Sequence, residues 1–318
     1  MKVVMELPPE IYEHLSAVAR AMEMSISQFV QVALENQFAL EGLEVGERIG
    51  ARSLARSREH ALVDPWRGLR GSDIPWDSLK VEEEYHASST VLWGQVNRLF
   101  PLKVSLRVLA SLKERVPLKV FHIEATEAAV RVRMHLEALD RTNLIPRGER
   151  LAAGFPKNVD KSKRRFRNHF LCHLVRGRRP AGALAHLGFV ALSREPETVS
   201  LTYPGMDFAR LKNPMLEAPS TEVFSGEEID FLLEYFEHEV KGEYELYRRM
   251  ARWIASGEDT PDRLTAKMLV GSSKSVKVVN TMRAGALGRM QELGLVRRER
   301  DGRRVRYHVR ERGERLLG

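Results

Sequence analysis

The sequence predicts a mainly α-helical protein of the α+β class, built from a small N-terminal unit and two larger domains with short β-hairpins. Apolar residues recur at helical spacing over most of the chain. A glycine closes a helix just before each of two hairpin-like segments. The length of 318 residues also exceeds that of one ordinary domain.

The clearest pattern lies in residues 280–310. One helical face carries Met282, Ala286, Leu287, Met290 and Leu293. Gly294 then ends the helix, and residues 295–300 and 303–309 flank Asp301-Gly302, which predicts a tight hairpin. Gly285 and Gly288 lie off the apolar face. We interpret them as points of close approach to a DNA backbone rather than of helix packing.

The charge of the chain favours a polyanionic partner. The net charge is +8, and residues 262–318 alone hold fifteen basic and six acidic side chains. Nucleic acid is the first candidate and an anionic membrane surface the second.

The middle of the chain repeats the plan of the C-terminal end. Helical spacing covers residues 91–112 and 126–139, and residues 161–180 hold eight basic side chains, no acid and the apolar face of an amphipathic helix. A helix end, Leu-Gly, an apolar pair, a hairpin and a closing helix then follow in residues 183–211, as they do in residues 290–313. We infer an internal repeat and hence two domains, residues 85–216 and 222–318.

The order helix, helix, loop, helix and hairpin in residues 222–318 resembles the winged-helix DNA-binding proteins, whose last helix and wing contact DNA. The resemblance implies that bases are read near Arg283 and Arg289 and that wing arginines meet phosphates. In this domain the predicted DNA-binding residues are Lys274, Lys277, Thr281, Arg283, Arg289, Arg297, Arg298, Arg300, Arg303, Arg304 and Arg306. In the middle domain they are Lys161, Lys163, Arg164, Arg165 and Arg167, because its hairpin is not basic.

Residues 1–41 read as a short strand, a Pro-Pro stop and two short helices. This order resembles the ribbon-helix-helix repressors, which implies an obligate homodimer with Lys2, Val4 and Glu6 facing DNA and a phosphate held at Ser25 and Ser27. Residues 1–44 contain seven acids against two basic side chains. Dimerisation with DNA contact and dimerisation alone therefore both stay open.

Residues 42–84 are interpreted as a linker, since Gly, Pro and Ser interrupt any apolar periodicity. Trp66 and Trp76 stand beside prolines, which indicates that part of this linker docks on a domain.

Catalytic and metal-binding motifs are not evident. A Gly-rich phosphate loop, a nucleophile elbow and an HExxH motif are all missing, so we expect no enzyme and no cofactor. His169, Cys172 and His173 have metal-like spacing, but a fourth ligand is lacking nearby, so no metal site is predicted. With one cysteine, no bilayer-length apolar run and no signal-peptide pattern, a cytoplasmic, nucleoid-associated protein without a membrane partner is expected.

These patterns favour a homodimeric, sequence-specific protein that binds double-stranded DNA, most simply a transcriptional regulator. A plasmid or viral DNA-maintenance protein of the replication-initiator, partition or antitoxin type is the first alternative. A scaffold that binds an acidic protein is the second.

Overall fold

The computed structural model describes residues 64–112, 115–146, 148–175, 179–218, 220–302 and 304–318. The predictions for the N-terminal unit, including Lys2, Val4, Glu6, Ser25 and Ser27, lie outside these residues, and so does Arg303. Of the residues that the structure describes, about 51% are helical and 13% are in strands, which confirms the α+β class.

Residues 64–318 form one compact unit with a continuous apolar core. Leu69 and Ile74, from the predicted linker, are buried in it. The core also runs through the boundary expected between residues 216 and 222, where Leu216 and Phe224 are both buried. The prediction of two separate domains joined to a long linker is therefore replaced by one larger unit that begins near residue 64.

One fully buried ion pair joins the two predicted domains directly, and a second, within the later domain, joins them through hydrogen bonds to residues 92–96. Lys103 Nζ lies 2.8 Å from Glu228 Oε1, and Arg289 Nη2 lies 2.6 Å from Glu243 Oε1. Glu243 also accepts a 2.9 Å hydrogen bond from the backbone N–H of Leu92. Separation of either pair would leave a buried charge without its partner, which would lower the stability of the fold.

Among the described residues, the first part of the unit contains six α-helices and five short strands, four of which form two hairpins. Its helices are α1 (Phe100–Ser111), α2 (Leu118–Thr142), α3 (Asp160–His169), α4 (Ala183–His186), α5 (Tyr203–Arg210) and α6 (Pro214–Glu217). Its strands are β1 (Val116–Pro117), β2 (His173–Val175), β3 (Arg179–Ala181), β4 (Val190–Arg194) and β5 (Glu197–Leu201). The antiparallel sheet has the order β1-β5-β4, and β2 pairs with β3 separately.

Two predicted helices are shorter than expected. The helix predicted over residues 91–112 begins only at Phe100, because Pro101 suits the first turn and cannot continue a preceding one. The basic helix predicted over residues 161–180 ends at His169, and the chain then forms the β2–β3 hairpin.

The second part follows the predicted order closely. It comprises α7 (Gly226–His238), α8 (Lys241–Ala255), α9 (Pro261–Leu269), α10 (Val276–Glu292), β6 (Val296–Asp301), β7 (Arg304–Val309) and α11 (Glu311–Glu314). Ser225 and Glu228 form the predicted capping box at the start of α7. The strands β6 and β7, called here the C-terminal hairpin, pair from Val296↔Val309 to Asp301↔Arg304.

The internal repeat is present as a structural repeat. Gly188 and Gly294 end α4 and α10 with φ of +65° and +67°. In each copy the next residue donates its backbone N–H to the carbonyl five positions earlier, at 3.0 and 2.8 Å.

The closing helices of the repeat meet the first strand in the same way. A Cβ on Gly205 would lie 2.0 Å from the carbonyl oxygen of Phe189, and one on Gly313 would lie 2.1 Å from that of Leu295. A glycine is therefore required at the same point of both copies. The copies differ before the hairpin, where α4 has 4 residues and α10 has 17.

Within the described residues, no helix has the length and apolar character needed to cross a membrane.

Candidate nucleic-acid interface

The structure brings α3 and the N-terminal half of α10 to the two sides of one open cleft, called here the α3–α10 cleft. Its volume is about 1070 Å³. Four predicted DNA-binding residues line it, Lys161 and Arg165 from α3 and Lys277 and Thr281 from α10. These two helices are over a hundred residues apart in the sequence, and nothing in the sequence analysis placed them together.

Residues 94–97 run between the two helices and form the floor of the cleft. A Cβ on Gly285 would lie 2.3 Å from the carbonyl oxygen of Gly94, and one on Gly288 would lie 2.6 Å from that of Asn97. The two glycines thus let α10 contact its own chain. The interpretation that they approach a DNA backbone is wrong, because residues 94–97 occupy that space.

The cleft is a cationic surface. Lys161, Arg165 and Lys277 are exposed, and Arg165 Nη2 donates to Gln95 Oε1 at 3.0 Å. His169 also lines the cleft; burial and the nearby Arg165 guanidinium lower its pKa, which favours the neutral imidazole. Among the described residues that line the cleft, none is Asp or Glu. An anion in the cleft would therefore meet positive charge alone.

The two halves of α10 have different environments. Lys274, just before the helix, and Lys277 are exposed, and Thr281 is half-buried. Arg283 instead turns towards α9, where Nη1 donates to the carbonyl oxygen of Pro261 at 2.5 Å and to Thr265 Oγ1 at 2.7 Å.

Arg289 corrects the prediction most directly. It is fully buried and bound to Glu243, with Tyr247 Oη 3.2 Å from its Nε. It also donates to the carbonyl oxygen of Val96. The prediction that Arg289 reads bases is wrong, because the side chain supports the core between α8, α10 and residues 92–96.

The basic residues of α3 do not all face the α3–α10 cleft. Lys161, Arg164 and Arg165 are exposed, and only the first and last of these line the cleft. Lys163 turns to α2 and forms a 3.1 Å ion pair with Glu127, and Arg167 is half-buried.

The C-terminal hairpin exposes most of its predicted arginines. The side chains of Arg297 and Arg306 are 63% and 60% exposed. Arg300 and Arg304 are exposed as well. Arg298 differs, since it is 16% exposed and its Nη1 lies 3.6 Å from Glu149 Oε1, so it faces its own chain.

The sequence predicts no metal site at His169, Cys172 and His173, although their spacing is metal-like. Cys172 is fully buried, and burial raises the pKa of its thiol. His122 Nε2 lies 2.7 Å from its carbonyl oxygen. In the part of the chain that the structure describes, no group of three or more His, Cys, Asp and Glu side chains is placed to hold a metal ion.

The sequence analysis missed the floor of the cleft. Residues 94–97 fell within a predicted helix, and Gln95 and Asn97 carry no motif. The signal that could have indicated them is the pair Gly285 and Gly288, because glycine within a helix costs stability and is tolerated where another backbone comes close.

Comparison with known proteins leaves the chain without a match: no family model, no curated protein and no solved structure is similar to it.

Proposed function

We propose that this protein binds double-stranded DNA through the α3–α10 cleft and the C-terminal hairpin. The observation that carries the proposal is the cleft itself. Two helices that are distant in the sequence place three exposed cationic side chains there, and none of the described lining residues is acidic. Phosphate neutralisation by Lys and Arg supplies most of the affinity of proteins for DNA.

The exposed half of α10 is the element suited to base contact. Lys277 and Thr281 stand on the cleft face, and the hairpin that follows α10 exposes Arg297, Arg300 and Arg306. A helix beside a basic hairpin matches the arrangement in which a helix enters the major groove and flanking arginines meet phosphates. We therefore assign the α10 face around Thr281 to bases, and Lys277, the hairpin and α3 to phosphates.

The first copy of the repeat has a different role in this proposal. Its α4 is a single turn in which Ala183 and Leu184 are buried, and its hairpin closes with the pair Arg194↔Glu197. Neither element offers a cationic surface. Instead this half supplies α3, so that both halves contribute to one DNA-binding surface.

We further propose that the protein is a homodimeric transcriptional regulator, dimerised through residues 1–41. DNA maintenance in a plasmid or virus is the alternative role on the same DNA-binding surface. The scaffold role would have the cleft bind an acidic protein instead.

The test is selection of bound duplexes from a random pool by the full-length protein. The affinity for the selected duplex is then measured by fluorescence anisotropy. Replacement of Lys161, Arg165 and Lys277 by Ala removes three phosphate contacts and is expected to weaken binding about a hundredfold at moderate salt. Arg164→Ala is the matched control, because this exposed residue of α3 does not line the cleft.

Equal losses in the triple variant and in Arg164→Ala would contradict the role of the cleft. Binding of poly-glutamate as tight as that of duplex DNA would favour the scaffold. Recovery of single promoters from genomic DNA supports regulation, whereas recovery of iterated repeats supports maintenance. Removal of residues 1–44 is expected to give a monomer in sedimentation, and an unchanged dimer with unchanged DNA sites would contradict the N-terminal assignment.

A further inference from the structure

A second cavity lies at the root of the C-terminal hairpin, away from the residues that line the α3–α10 cleft. We call it the hairpin-root pocket. Its volume is about 510 Å³, which lies within the range typical of small-ligand sites. It is enclosed by the start of β6, the end of α10, the residue before α11, the residues that lead into α7 and the loop at residues 149–151.

The pocket is rich in arginine. Five arginines are among its lining residues, Arg98, Arg297, Arg298, Arg310 and Arg312. Three carboxyl groups, those of Glu149, Glu222 and Glu292, accompany them. The lining residues therefore carry more positive than negative side chains, and these arginines line a cavity rather than an open surface.

Arg98 gives the pocket a fixed cationic wall. It is 7% exposed and its Nη1 donates to the carbonyl oxygen of Gly288 at 2.7 Å. Its Nη2 donates to the carbonyl oxygen of Gly148 at 3.3 Å. These hydrogen bonds orient the guanidinium, whose charge acts on the pocket and also on the Glu292 carboxyl group, where it opposes the rise in pKa that burial causes.

Two of the three acids, Glu292 and Glu149, offset these cations only in part. Glu292 accepts hydrogen bonds from the backbone N–H groups of Leu99 and Phe100, and burial raises its pKa to about 7. Its negative charge is thus partial at neutral pH. Glu149 lies 3.6 Å from Arg298, a long contact for an ion pair. Arg310, just after the hairpin, and Arg312, from α11, also line the pocket.

We propose that the hairpin-root pocket binds a small multivalent anion that carries phosphate or carboxylate groups. Planar guanidinium groups match such groups in bidentate geometry, and arginines from different elements line this pocket. Because Arg297 and Arg298 belong to β6, a bound anion contacts the strand whose continuation carries Arg300. The inference does not depend on the proposed function, since anion binding is measured without DNA.

The test is calorimetric titration of the full-length protein with inorganic pyrophosphate at constant ionic strength, with chloride as the compensating anion. One site is expected. The double substitution Arg310→Ala and Arg312→Ala is expected to weaken binding at least tenfold. Arg315→Ala, an exposed neighbour outside the pocket, and Arg165→Ala, in the α3–α10 cleft, are expected to change it less than twofold.

Several outcomes would overturn the inference. Heats no larger than those of the chloride blank mean that the pocket does not bind such an anion. A loss in Arg165→Ala equal to that of the double variant places the anion in the cleft. If the double variant unfolds, as circular dichroism would reveal, Arg312→Lys replaces it. This variant keeps the charge but loses the bidentate contact, so unchanged affinity would also contradict the inference. A double variant that loses DNA binding while wild type shows no pyrophosphate heat assigns the pocket to DNA phosphates instead.

Discussion

Arg289 and Glu243 form a fully buried ion pair that joins α10 to α8, with 2.6 Å between Arg289 Nη2 and Glu243 Oε1. Glu243 also accepts a hydrogen bond from the backbone N–H of Leu92, and Arg289 donates one to the carbonyl oxygen of Val96. The pair therefore fixes residues 92–96, which lead into and form the floor of the α3–α10 cleft.

Removal of one partner of this pair should be severe. Arg289→Ala leaves the Glu243 carboxylate buried without its cation, and we expect a loss of about 3–5 kcal/mol in the free energy of unfolding. Urea denaturation measures it. The double substitution Arg289→Met with Glu243→Leu should lose less than Arg289→Ala, because no unpaired charge remains. A loss below about 1 kcal/mol in Arg289→Ala would contradict the structural role of the pair.

Gly285 provides a steric test of the cleft floor. A Cβ there would lie 2.3 Å from the carbonyl oxygen of Gly94, so Gly285→Ala should destabilise the protein by about 2–3 kcal/mol although alanine favours helices. Thermal unfolding is the measurement. Ala284→Gly, at the exposed neighbouring position, is the matched control and should cost about 0.5–1 kcal/mol. Stabilisation by Gly285→Ala would mean that α10 does not contact residues 94–97.

Glu292 should make stability depend on pH. Burial raises its folded-state pKa to about 7, above the ordinary value of 4.5. Between these values the folded chain holds more protons at this site than the unfolded chain, so its contribution to stability falls as pH rises and is lost above about pH 7. Relative to wild type, Glu292→Gln should therefore gain on the order of 2–3 kcal/mol between pH 5 and pH 8. Urea denaturation across this range tests it, and a constant difference would refute it.

The single core predicts a single unfolding step for residues 64–318. Lys103 and Glu228 pair within it across the boundary expected from the sequence, and both side chains are fully buried. Circular dichroism at the α-helical signal and tryptophan fluorescence should give one coincident transition over this region. Two separated transitions, one losing α1 and α2 and the other losing α7 to α10, would restore the two-domain interpretation.

The parts of this fold that depend on local chemistry could be predicted from the sequence. The capping box at Ser225, the glycine stop at Gly294 and the repeated hairpin each follow from neighbouring residues. The burial of Arg289 could not, because its partner Glu243 lies on another helix and an arginine on a helix ordinarily faces water. The α3–α10 cleft could not be predicted from the sequence either, because it depends on contacts between helices that are far apart along the chain.

The salt dependence of DNA binding tests most directly whether α3 and α10 bind the same DNA. The affinity for a selected duplex is measured between low and physiological salt for wild type, Arg165→Ala, Lys277→Ala and the double variant. Each lost phosphate contact should reduce the slope of log affinity against log salt by about 0.9, and the double variant by about 1.8. Arg164→Ala should leave the slope unchanged. If neither Arg165→Ala nor Lys277→Ala changes the slope from its wild-type value, the result would contradict the proposed DNA-binding cleft.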